Sequence, residues 1–167
     1  MDTCAECDFD WGLARAATIA TLSRTGDDFR STLADASRES LQNRPAPSVW
    51  SPVEYTAHTR DAVSWYAARI RRVLSENRPR LTGRDWDQLC ADRRYNEGNL
   101  DATIEDLVKE SDGLATLLGE LSDAEWRRAG IGSDGGTRSI DELARRAAHE
   151  VRHHAFDVHR MTRDETR

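Results

Sequence analysis

The sequence predicts an all-α fold: a four-helix bundle with a long crossover segment and a short loop or hairpin before the last helix. Three observations carry this. Apolar residues recur at three-to-four spacing through four long stretches, serine-led helix starts precede two helical segments, and no run alternates as a strand would. A chain of 167 residues suits one domain around one core. We divide it into an N-terminal segment over 1–9, expected to be mobile, a bundle over 10–162 and a C-terminal tail over 163–167.

The first helix is expected over 10–35, where Leu13, Ala16, Ala20, Leu22, Phe29 and Leu33 recur at helical spacing. Two prolines in Arg44–Trp50 then break the pattern. Ser51-Pro52-Val53-Glu54 starts the second helix: serine caps, proline occupies the first turn, and Glu54 completes a capping box. It runs to about Asn77 on a stripe of Val63, Ala67, Ile70 and Leu74. Residues 78–98 follow neither period and form the crossover. The third helix, 100–121, uses Ile104, Leu107, Leu114, Leu117 and Leu118, and Ser122 to Trp126 is a second capping box with a short turn. The glycine-rich stretch 130–139 is a loop or short hairpin, and it lacks the lysine of a phosphate-binding loop. The fourth helix runs from about Ser139 to Arg160.

Composition narrows the function. With 24 Lys+Arg against 30 Asp+Glu the net charge is −6, and no basic tract exists to neutralise nucleic-acid phosphates. No apolar run reaches a membrane span, and the acidic start MDTCAECDFDW has no secretory-signal pattern, so a cytoplasmic protein is expected. Lys109 is the single lysine; every other basic side chain is arginine. Three cysteines cannot frame a disulfide scaffold. Cys4 and Cys7 form a CxxC without a second cysteine pair, since Cys90 stands alone, and the motif reads as an incidental feature of a mobile end.

The five histidines fall in two places: His58 in the second helix, and His149, His153, His154 and His159 in the fourth. His149 and His153, four apart, share a helix face at the spacing two imidazoles need to reach one cation. His58 can supply a third ligand, leaving an open position as in catalytic zinc sites. Glu150 and His154 have the same spacing, and the apolar stripe of Ile140, Ala144, Ala147, Val151 and Val158 passes nearer His154 than His149. Spacing alone leaves both registers open.

The segment SVWSPVEYTAHTRD (48–61), followed by HEVRHHAFDVHR (149–160), resembles the DinB/YfiT-like superfamily, in particular its actinobacterial DinB-like branch. The acidic-tryptophan turn before the glycine-rich connection, Asp123 to Gly136, belongs to the same pattern. The resemblance implies a DinB/YfiT-like four-helix bundle holding a divalent metal, zinc or nickel, on three histidines. His58 then matches the ligand of the second helix, and His149 and His153 match the late pair. In the related mycothiol-dependent maleylpyruvate isomerases a Glu takes the first position of that pair, where this sequence has His149. A Glu150–His154–Asp157 reading also echoes the isomerase motif.

Many family members resemble S-transferases for low-molecular-weight thiols, and the arginine-rich, lysine-poor composition fits the mycothiol-using group. The expected function is therefore transfer of mycothiol to a small electrophile. The cofactor brings the sulfur, so no protein nucleophile is needed. Trp65, Tyr66, Trp86, Tyr95, Arg60, Arg152 and His154 are candidates for contacting thiol or substrate. A monomer or homodimer is expected, without nucleic-acid or membrane partners. The alternatives are a metal-dependent hydrolase or isomerase-like enzyme, and a non-catalytic metal-binding or stress protein.

Overall fold

A computed structural model of the chain describes residues 3–34 and 36–163; the expected tail over 163–167 lies almost wholly outside them. The helices are α1 (Arg15–Ser23), α2 (Thr25–Leu33), α3 (Arg38–Gln42), α4 (Pro52–Ser75), α5 (Trp86–Arg93), α6 (Leu100–Gly119), α7 (Asp123–Trp126) and α8 (Ile140–Arg163). An antiparallel hairpin, β1 (Ala129–Ile131) and β2 (Thr137–Ser139), precedes α8. The four corners of the bundle are the α1–α2 rod, α4, α6 and α8. The rod and α4 each pack on both α6 and α8, so those two lie at opposite corners. Among the described residues no helix is long and apolar enough to cross a membrane.

The predicted first helix is interrupted. Residues 10–14 form a turn in which the Gly12 N–H donates to Asp10 Oδ1 at 2.8 Å. At Arg24 the helix divides into α1 and α2, where the buried Thr25 hydroxyl donates to Leu22 O at 2.7 Å. A hydroxyl that takes a backbone carbonyl competes with the helical ladder. The short α3 was not anticipated; Ser37 caps it.

The start of α4 forms as the sequence predicts. Ser51 Oγ accepts from the Glu54 N–H, and Glu54 Oε2 accepts from the Ser51 N–H at 2.8 Å. Arg44 clamps the same carboxylate with two prongs, 2.7 and 2.5 Å. Arg128 closes the other end, donating to Val73 O and Glu76 O at 2.9 Å each. The crossover lies against the hairpin: the Leu81 N–H donates to Ile131 O at 2.7 Å, and the Ile131 N–H to Pro79 O at 2.8 Å. Gly130 permits this approach, because a Cβ there would meet Pro79 O at 2.8 Å.

The N-terminal segment, expected as a mobile end, makes tertiary contacts. From Thr3 it folds back on α8, with Cys7 and Phe9 buried in the main core. The physical reason lies at position 9: Phe9 sits edge-on to Trp11 and to His149, with ring centroids 5.3 Å apart in each case.

Candidate metal centre

The groove between α4 and α8 is where the chemistry-bearing side chains meet. A regular helix places His58 almost two turns into α4, and α8 faces it with Glu150 and His154, one turn apart. His58 is buried, and its Nε2 lies 3.2 Å from Glu150 Oε2. His154 Nε2 lies 3.3 Å from the same oxygen. The other nitrogen of His154, Nδ1, is 3.0 Å from Asp157 Oδ2. One donor atom from each of His58, Glu150 and His154 lies within 4.8 Å of the others.

Aromatic rings enclose this triangle. Trp86 meets His58 edge-on at 4.7 Å, Trp50 lies 4.9 Å from it, and Tyr55 stacks on His154 at 5.1 Å. Burial pulls the His58 pKa down, against the carboxylate of Glu150. Burial also opposes ionisation of Glu150, but hydrogen bonds from His154 and His58 outweigh it, and the carboxyl is held far below the usual range. His154 suffers the same burial, yet Asp157 and Glu150 raise its pKa.

These residues fit a divalent cation. With Asp157 accepting from Nδ1–H, a neutral His154 would present the lone pair of Nε2 to a cation, and His58 would present its own Nε2 from the other side. Lone pairs converging on an anion repel unless a proton or a cation lies between them. A two-histidine, one-carboxylate set with an outer carboxylate on one imidazole is the donor chemistry of catalytic zinc. The buried His58 Nδ1 has no hydrogen-bond partner.

The expected trio of His58, His149 and His153 is divided between two clusters. One residue along a helix is about 100°, so neighbouring i,i+4 pairs on α8 face different directions. The apolar stripe turns Glu150 and His154 toward α4, while His149 and His153 face the N-terminal segment. There they join Cys4 and Cys7. Glu150 and Asp157 are not among the expected ligands, although the alternative Glu150–His154–Asp157 reading names them and the stripe passing nearer His154 points the same way.

The model of the DinB superfamily matches residues 21–156. The chain belongs to the DinB superfamily. Among solved members of this fold, YfiT from Bacillus subtilis, described as a probable metal-dependent hydrolase with an unusual four-helix bundle topology, superposes with a TM-score of 0.85 at 14% identity, covering 91% of this chain and 87% of that one. The mycothiol-dependent maleylpyruvate isomerase gives 0.68 at 15% identity, covering 87% of this chain and 61% of the isomerase, so the DinB chain spans under two thirds of that protein. No curated protein sequence matches the chain.

The remaining candidates of this DinB bundle fall into three groups. Trp86 touches both His58 and, at 5.5 Å, Trp65. Trp65 and Tyr66 line a cavity of about 230 Å³ farther along the α4–α8 groove, with Arg69, Arg138 and Arg146. Arg69 lies over the Trp65 ring at 3.9 Å, and its buried Nε has no partner. Arg60 and Tyr95 are committed elsewhere: both bond the Asp61 carboxylate, which Arg93 also holds. Arg152 is exposed on α8.

Proposed function

We propose that this DinB-superfamily chain is a metal-dependent enzyme that joins a low-molecular-weight thiol, mycothiol in the first instance, to a small anionic electrophile. We assign His58, Glu150 and His154 as the residues that would hold a divalent ion, zinc before nickel, and place the activity in the cytoplasm. The observation that carries this reading is the convergence of two imidazole nitrogens on one carboxylate oxygen, with Asp157 orienting the second imidazole. A divalent cation in such a set lowers the pKa of a coordinated thiol or water and so supplies a nucleophile near neutral pH.

The chain's own side chains do the rest. Asp157 holds the Nδ1 proton of His154, which fixes the tautomer that presents Nε2. Trp50, Tyr55 and Trp86 keep bulk water from the imidazoles and strengthen the electrostatics around them. Arg69, stacked on Trp65 and lacking a carboxylate partner at its buried Nε, receives the anionic group of the electrophile. The thiol sulfur bonds the electrophilic carbon as that carbon's bond to its leaving group (halide in a halobimane) breaks, and the thiol proton and the leaving anion go to solvent.

Zinc-loaded protein given mycothiol and a bimane electrophile is expected to form the S-conjugate, and Glu150→Gln and His154→Ala to abolish it. Absence of a bound ion that depends on Glu150 and His154 would sink the proposal. A second reading has its own observation: Glu150 and His154 repeat, one residue on, the Glu-then-His order that the resemblance gives the isomerases' late pair. A thiol that adds to a conjugated double bond and then departs isomerises that bond. Consumption of thiol separates the two, since the transferase uses one per turnover and the isomerase regenerates it.

A further inference from the structure

The side chains of α8 that turn away from α4 make a second constellation. Cys4, Cys7, His149 and His153 each bring one ligand atom within 4.8 Å of the others. Two cysteines three positions apart and two histidines four apart form a Cys₂His₂ set, with both spacings in the range that structural zinc uses.

Geometry supports each member. Cys4 Sγ lies 3.7 Å from His153 Nδ1. Tetrahedral zinc with bonds of ~2.3 Å to sulfur and ~2.0 Å to nitrogen puts those two atoms ~3.5 Å apart. The far nitrogen of His153, Nε2, is 3.3 Å from Glu6 and 3.6 Å from Asp157, so its proton has carboxylates to meet and Nδ1 is left as the ligand atom. His149 Nε2 is buried with no hydrogen-bond partner, while its ring is held between Phe9 and Trp11. A buried unpartnered imidazole nitrogen beside two free thiols lacks one thing, a cation. The backbone is already turned for it: the Asp8 N–H donates to Cys4 O at 3.0 Å and the Cys4 N–H to Phe9 O at 2.9 Å, with Asp8 in the left-handed region at φ 56°.

We propose that Cys4, Cys7, His149 and His153 form a structural zinc site, separate from the His58–Glu150–His154 centre, that fastens the N-terminal segment to α8. Binding forms two zinc–sulfur and two zinc–nitrogen bonds and releases the two thiol protons to the buffer. Four protein ligands leave no open position, so this ion takes no substrate.

Cobalt substitution of the full chain tests it. Cobalt-loaded wild-type protein is expected to show a thiolate-to-cobalt charge-transfer band. Cys4→Ser/Cys7→Ser should lose that band and one metal per chain. Glu150→Gln should keep the band, so the result stands apart from the fate of the proposed catalytic centre. Alkylation of Cys4 and Cys7 in the wild type, read by mass spectrometry, should be blocked by zinc and restored by a chelator, which needs no variant to fold. A cobalt spectrum without the thiolate band, zinc-independent alkylation, or a Cys4–Cys7 disulfide in protein prepared under reducing conditions with zinc would each overturn the proposal.

Discussion

Asp157 touches no candidate ligand atom of the His58–Glu150–His154 triangle, yet it decides which atom His154 presents. Its Oδ2 takes His154 Nδ1 at 3.0 Å and lies 3.6 Å from His153 Nε2, so one carboxylate braces an imidazole of each cluster. Asp157→Ala is expected to weaken metal binding at the triangle by about 10- to 100-fold, the range for loss of an outer carboxylate. Asp157→Asn keeps an acceptor and should recover part of it; metal titration reads both. Arg69 offers the complementary test, toward substrate. Arg69→Met is expected to raise KM for an anionic electrophile while leaving KM for a neutral one, and the metal content, unchanged. An equal rise for both electrophiles would remove Arg69 from the anion's path.

At the scale of elements, local chemistry was readable where the determinant was local. The Ser51–Glu54 capping box, the Ser122–Glu125 box and the glycine-rich hairpin are each written in a few consecutive residues, and each forms. Ser51→Ala removes the cap and the 2.6 Å bond to Asn96, and should cost about 1–2 kcal/mol. In a chain of this size that lowers Tm by a few degrees, about 2–4 °C per kcal/mol. The division of the first helix at Arg24 was not readable, because helical periodicity continues across it. Gly26 shows what lies behind it. A Cβ there would meet Val108 Cγ2 at 2.6 Å, so the rod presses on α6 at this glycine. Val108 is branched and stiff, and Gly26→Ala should cost about 1–3 kcal/mol in a denaturant titration despite the gain in helix propensity. The site shows the same pattern. Histidine clustering on α8 was visible in the sequence, whereas the choice between adjacent i,i+4 pairs needed the packing of α8 against α4 and the N-terminal segment. Cys4 and Cys7 looked isolated because their companions lie some 140 residues onward in sequence.

For the molecule as a whole, and apart from Glu150 in the metal centre, the buried Glu54 and the half-buried Asp61 contribute to the response to acid. Burial resists ionisation of Glu54 and Asp61. Arg44 with the Ser51 N–H, and Arg60 with Tyr95, more than offset it, so both folded-state pKa values lie below their ordinary ones of 4.5 and 3.8. A depressed folded pKa contributes stability that is complete above the unfolded value and disappears as pH falls through the folded one. The contribution of these two carboxylates to the unfolding free energy should therefore hold from neutrality to about pH 5 and drop below about pH 4. The Glu54→Gln/Asp61→Asn protein should be less stable at pH 7 and show a shallower acid slope; an unchanged slope would assign acid sensitivity to other groups.

The contact between Cys4 and His153 spans 149 positions, nearly the full length of the chain. During synthesis Cys4 therefore waits for α8 before it finds its place. Closing a loop of that length costs about 2 kcal/mol more than closing one of fifteen residues. Cys7 and Phe9 remain open to water and oxidant throughout that wait. The segment from Cys4 to Phe9 is thus among the last described parts to become native, and the arrival of α8 marks the end of its exposure.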